Sequence, residues 1–182
     1  MLLTVALTGL RASELRGLRW FDVDLKAGEL HVRQRADCFG KIGMPKSKTS
    51  GRTMPLDQQT VSALKAWKLE CPNSEEDLVF PSIAGRVEHH STTSNGLARA
   101  MQDAHVLDAQ GEPKYALHAL RHFFASWCIN AKSKGGRELP PKEVQQLLGH
   151  SSIVITLDIY GHLFPADGDR SELNAAARAL LA

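Results

Sequence analysis

Arg11 in TGLRASEL, His118 and Arg121 in LHALRH, His150 in LLGH and Tyr160 in TLDIYGH have the types and order that one reaction requires, transfer of a phosphoryl group without a metal. A phosphodiester in transfer carries negative charge on its nonbridging oxygens. Arginine suits that charge, being always ionised and able to donate two parallel hydrogen bonds. Arg11 and Arg121, from distant segments, can clamp one phosphate, and Glu14, one helical turn beyond Arg11, can hold that guanidinium in place. His118 and Arg121 are three residues apart on a predicted helix, so both side chains face one ligand. Tyr160 is the candidate nucleophile. A phenolate, from a phenol of pKa about 10, is a better leaving group than an alkoxide, so a phosphotyrosine bond stays reversible.

Each residue also has a plainer reading. Arg11 fits a surface helix position with Glu14 as an ordinary ion pair, His150 fits a helix C-terminal cap, and Tyr160 fits a core tyrosine. His118 and His122 have the spacing of a helical zinc pair. The glutamate of HExxH is missing and no third ligand is evident, so no metal and no cofactor are expected.

The elements that must position these groups follow from pattern and punctuation. The 182 residues, 43% hydrophobic and 23% charged, suffice for one globular domain. Apolar residues from Leu2 to Leu18 predict helix, interrupted at Gly9, with Ser13 as cap of a second piece beginning near Glu14. Segments 29–35 and 52–56 read as strands joined by a basic hairpin. Residues 57–70 predict a helix capped by Asp57 and stopped at Cys71-Pro72, and 79–81 a short extended piece. Helices are expected over 93–106, 116–131, 141–148 (ending at Gly149), 151–160 (starting at Ser151 or Ser152) and 171–181. The segment GHLFPADGD reads as a linker. The fold class is therefore α+β, mostly helical with a small antiparallel sheet.

Charge and cysteine usage bound the partners. The net charge is +2, but between His31 and Pro55 the residues Arg33, Arg35, Lys41, Lys46, Lys48 and Arg52 face the single acid Asp37. Such a stretch follows a phosphate backbone, or else is a solvated hairpin surface. Cys38, Cys71 and Cys128 have no paired or metal-ligand spacing and read as reduced thiols. The apolar opening MLLTVALTGL lacks a basic start and runs into charged sequence, so neither leader nor anchor is expected, and the protein is expected to be soluble and intracellular. A helix already under way at Met1 suggests that an N-terminal portion of a longer protein is missing.

With these pieces in order, residues 2–165 resemble the catalytic domain of the tyrosine recombinases, the family of phage and element integrases and chromosome-dimer resolvases. TGLRASEL resembles the first-arginine box, PKSKTSGRTMPL the lysine hairpin, LHALRHFFAS the His-x-x-Arg box, LLGHSS the third-position histidine box and TLDIYGH the nucleophile box. The resemblance implies that Tyr160 attacks the scissile phosphate, giving a 3′-phosphotyrosyl DNA intermediate and a free 5′-hydroxyl. It implies that Arg11, Arg121 and His150 stabilise the transition state, that His118 assists proton transfer, and that a hairpin lysine protonates the leaving oxygen. Lys46 suits the family hairpin better, but Lys46 and Lys48 lie two apart and would share a strand face, so spacing leaves both open.

It further implies double-stranded DNA as partner, with no membrane and no small-molecule substrate, and a bacterial or phage-encoded, cytoplasmic location. A homotetramer is expected on synapsed DNA, with a monomer as the alternative for the free protein. Residues 1–165 would form the catalytic domain. Residues 166–182 would be a linker and helix exchanged between subunits through Leu173, Ala177 and Leu180, or folded back on their own domain. The family's N-terminal DNA-clamping domain is not expected within these 182 residues. The competing readings are a type IB topoisomerase, a catalytically silent DNA-binding module and, more distantly, a metal-dependent nuclease. His89-His90 and the loop AKSKGGRELPP receive no role.

Overall fold

The computed structural model describes residues 1–45, 51–164, 174 and 177–180. Helix α1 (Leu2–Thr8) ends at Gly9 in the left-handed region, φ 62°. A Cβ at Gly9 would meet the Phe124 ring at 2.4 Å, so the turn needs glycine for both its conformation and its close approach. Helix α2 (Ala12–Arg16) follows at once. Its N-cap is Arg11 and not Ser13, the expected cap. The Glu14 carboxylate, at the third helical position, reaches back to accept from the Arg11 backbone N–H at 2.9 Å, which fixes the helix start at Arg11.

Strands β1 (Val23–Asp24), β2 (Glu29–Val32) and β5 (Arg52–Pro55) form an antiparallel sheet in the order β1-β2-β5, with Leu30 opposite Met54 and Val32 opposite Arg52. Leu30, Val32 and Met54 point into the core. The strand expected over 29–35 breaks after Val32. Gln34 turns to donate to the Gly17 carbonyl at 2.8 Å, and β3 (Arg35–Ala36) then runs so close to Gly17 that a Cβ there would lie 2.7 Å from the Arg35 backbone. β3 pairs with β4 (Ile42–Gly43) as a separate hairpin.

Helix α3 (Gln58–Glu70) is capped by Asp57, which accepts from the Gln59 and Thr60 amides, and it stops at Cys71-Pro72 as the sequence implies. At the expected extended piece, the Val79 amide bonds to the Leu18 carbonyl and the Val79 carbonyl accepts from the Trp67 indole. Helix α4 spans His90–Asp103, three residues earlier than expected, because the His89 ring caps it by accepting from the Ser91 amide. That gives His89 a structural role. Helix α5 (His118–Ile129) sends Phe124, Ala125, Cys128 and Ile129 into the core and is shorter at each end than the 116–131 expected.

Helix α6 (Pro141–Leu148) starts on proline and ends at Gly149, φ 62°, and α7 (Ile153–Tyr160) is capped by Ser152. Both agree with the sequence. Val144 and Leu148 of α6 and Tyr160 of α7 join Leu15, Leu30, Met54 and Phe124 in one core. The fold is thus the expected α+β arrangement. Of the expected tail helix, residues 174 and 177–180 are helical, while Leu173 lies outside the described residues, as do 165–169 of the linker.

Candidate active site

Helix α6 presents three successive backbone carbonyls at its C-terminal end, and each accepts from a different arginine. The Leu147 carbonyl takes Arg52 Nε at 2.7 Å, the Leu148 carbonyl takes Arg121 Nη2 at 2.5 Å, and the Gly149 carbonyl takes Arg11 Nη2 at 3.1 Å. The last carbonyls of a helix lack intrahelical partners and carry its partial negative charge, so they draw cations. Arg121 also donates to the Gly9 carbonyl, tying the α1–α2 turn to the same point.

Glu14 links the cations. Its carboxylate, 3% exposed, accepts from Arg11 Nη1 at 2.8 Å and from Arg52 Nη1 and Nη2 at 3.1 and 2.9 Å. Burial alone would raise the pKa of this carboxyl. The hydrogen bonds and charges of Arg52, followed by those of Arg11, outweigh burial and hold it below the ordinary value. Arg121 is buried, and burial followed by repulsion from Arg11 and Arg52 lowers its pKa to about 9, leaving it a cation at neutral pH.

The two site histidines stay neutral more readily than a free imidazole. His150 Nδ1 lies 3.0 Å from the Thr156 hydroxyl, and the His150 carbonyl accepts from Gln145 Nε2. Burial, then the charges of Arg121, Arg11 and Arg52, push its pKa down to about 4. His118, at the start of α5, is lowered by burial, then by His122, Arg121 and Arg11. The His118 and His122 rings meet edge to face with centroids 4.8 Å apart.

Tyr160 closes the arrangement. It is the last residue of α7 and 4% exposed, and its hydroxyl lies 2.8 Å from His122 Nδ1. Burial raises the phenol pKa, with the Arg121 charge opposing. Arg11, Arg35, His118, Arg121, His150 and Tyr160 line one cavity of about 470 Å³. A larger open groove of about 980 Å³ lies against residues 39–40, 73–76 and 84–87 and holds none of them.

Five candidates from four of the boxes therefore face one space: Arg11, Arg121, the two histidines and the tyrosine. Lys46 and Lys48 lie outside the described residues, between β4 and β5. Sequence reasoning missed three further side chains. Arg52 was read as part of a projecting basic hairpin but is buried, 6% exposed, against Glu14. Its alternation with Met54 on one strand face was the signal available. Arg35 was placed in the same basic stretch; it lines the cavity, and its buried Nε has no hydrogen-bond partner among the described residues. His122 was weighed only as half of a zinc pair. Among the described residues no group of three His, Cys, Asp or Glu side chains is placed to hold a metal ion.

A family model described as the phage integrase family matches residues 1–166. The chain belongs to the phage integrase family. It is 30% identical to the tyrosine recombinase XerC-like protein of Caldanaerobacter subterraneus subsp. tengcongensis, a match covering 87% of this chain and 44% of that protein. It is 35% identical to tyrosine recombinase XerC of Xanthomonas campestris pv. campestris, covering 86% of this chain and 41% of the relative. The integrase-family chain thus spans less than half the length of these curated relatives. Its fold matches the Tn1549 transposon integrase in complex with transposon right end DNA, with a TM-score of 0.72 and 22% identity over 100% of this chain and 58% of that one. It also matches XerA recombinase, with a TM-score of 0.66 and 25% identity over 97% and 54%.

Proposed function

We propose that this chain is the catalytic part of a site-specific DNA recombinase that cuts and rejoins strands through a 3′-phosphotyrosyl intermediate. The observation that carries the reading is the convergence of Arg11, His118, Arg121, His150 and Tyr160 on one cavity. A phosphate entering it meets two guanidiniums already fixed by backbone carbonyls, so little ordering cost remains for the bound state. Neutral His150, with Nδ1 on Thr156, has Nε2 left for a phosphate oxygen. The tyrosine oxygen attacks phosphorus, the bond to the 5′ oxygen breaks, and Lys46 or Lys48 supplies the leaving oxygen with a proton.

Double-stranded DNA is the substrate in this reading. The relatives named as recombinases and the transposon integrase bound to DNA support it. Residues 1–165 act as the catalytic unit and 166–182 as the segment exchanged between subunits of a homotetramer on synapsed DNA, the free protein being a monomer. The place of action is the cytoplasm, on DNA; among the described residues no helix is long and apolar enough to cross a membrane.

The test is covalent trapping on a pool of nicked duplexes, with EDTA present and low salt, comparing the natural chain with Tyr160→Phe. A denaturation-resistant protein–DNA adduct that vanishes in the phenylalanine variant supports the reading. An adduct that persists in Tyr160→Phe, or DNA binding with no adduct from any duplex, overturns it.

A further inference from the structure

Among the described residues, His122 is the hydrogen-bond partner of the Tyr160 hydroxyl, across 38 positions of sequence and from a different helix. His118, the histidine expected to move protons, touches the His122 ring instead. His118 and His122 also differ in position: His118 lines the cavity, where a phosphate would sit, while His122 stands outside that lining with solvent access. Attack needs a proton acceptor on the phenol that does not compete with the phosphate for space, and an exposed imidazole behind the tyrosine meets that need.

We infer that His122 is a catalytic residue, the general base that takes the Tyr160 proton during strand cleavage. The inference rests on Tyr160 being the nucleophile. With Nε2 protonated, Nδ1 accepts from the phenol. As the tyrosine oxygen forms its bond to phosphorus and the bond to the 5′ oxygen breaks, the phenolic proton passes to Nδ1, giving an imidazolium. The 5′ oxygen receives its proton from the hairpin lysine. In rejoining, the 5′-hydroxyl attacks and gives its proton back to the hairpin lysine, the bond from phosphorus to the tyrosine oxygen breaks, and the imidazolium returns its proton to that oxygen. His118, ring edge against His122, then orients the base and stays available to the phosphate.

The proton acceptor is separable from a mere hydrogen-bond partner by experiment. Nicked duplexes that the natural chain converts to adduct are chosen first, and single-turnover rates are measured on them for His122→Ala, His122→Asn and Tyr160→Phe. The expected result is a slowing of about 100- to 10,000-fold in both His122 variants, since asparagine keeps a polar partner but takes no proton. Imidazole added to His122→Ala restores rate, and a fluorinated, more acidic tyrosine at position 160 shrinks the loss. Circular dichroism confirms that the variants are folded; if His122→Ala is not, His122→Asn and the fluorinated tyrosine in the natural background carry the test, the latter giving a reduced dependence on His122. Natural rates in His122→Asn, or no response to imidazole and to phenol acidity, overturn the inference while leaving Tyr160 in place. An adduct surviving in Tyr160→Phe instead removes the nucleophile reading itself.

Discussion

The two halves of the cavity are built differently. On the α6 side, Arg11, Arg52 and Arg121 each hold at least one backbone carbonyl of residues 147–149, and Glu14 joins two of them. The helix beneath is fully anchored, with Val144 and Leu148 completely buried. On the α7 side, the tyrosine hydroxyl has one hydrogen-bond partner among the described residues, and Val154, Ile155, Leu157 and Ile159 of the same helix are exposed. The difference teaches how the reaction is divided. In the proposed reaction the charge-stabilising half is assembled before any substrate arrives, whereas the proposed nucleophile sits at the end of a helix whose outer face is exposed.

The sharpest way to break this contrast is to remove its keystone. Glu14→Ala removes the buried carboxylate that both Arg11 and Arg52 hold, and breaking a buried ion pair on one side costs about 3–5 kcal/mol. The chemical denaturation midpoint should fall accordingly, with DNA cleavage lost as well. A drop under about 1 kcal/mol would show that the α6 side is not tightly built.

Acidification attacks the same half more gently. His150 has an ordinary value of 6.5 and a folded value of about 4, so the unfolded chain takes up a proton that the folded chain refuses. Stability should therefore fall as pH drops from about 6.5 to about 4, by at most about 3 kcal/mol. Thermal melts across that range read it directly, and His150→Gln should flatten the profile. A slope unchanged by that substitution would assign the acid response to other groups.

Smaller effects belong to the restraints on α7. Thr156→Val strips His150 of its hydroxyl partner inside the protein and should cost about 1–3 kcal/mol, seen in the denaturant midpoint. Ser152→Ala removes the α7 cap and should cost about 1 kcal/mol, while slowing adduct formation more than it weakens DNA binding. If binding fell and cleavage did not, the division between a binding half and a reacting half would be wrong.

Much of this was legible in the chain. Asp57 before α3, Pro141 and Gly149 around α6, and Ser152 before α7 each act through local backbone hydrogen bonds, so sequence alone locates those helix ends. Four of the five boxes likewise announced Arg11, His118, Arg121, His150 and Tyr160, which line the cavity. What was hidden depends on distant partners. The break in the strand after Val32 is set by Gly17, the burial of Arg52 by Glu14 and the Leu147 carbonyl, and the place of His122 by Tyr160 on another helix. His89 looked idle because a histidine ring is an uncommon cap.

Mapping the covalent bond tests the central claim most directly. An adduct formed in EDTA is digested with protease and nuclease, and the nucleotide-bearing peptide is sequenced by mass spectrometry. The account predicts a single modified residue, Tyr160, joined to a DNA 3′-phosphate, with the other strand end a free 5′-hydroxyl. Attachment to any other side chain, or to a 5′-phosphate, would contradict it.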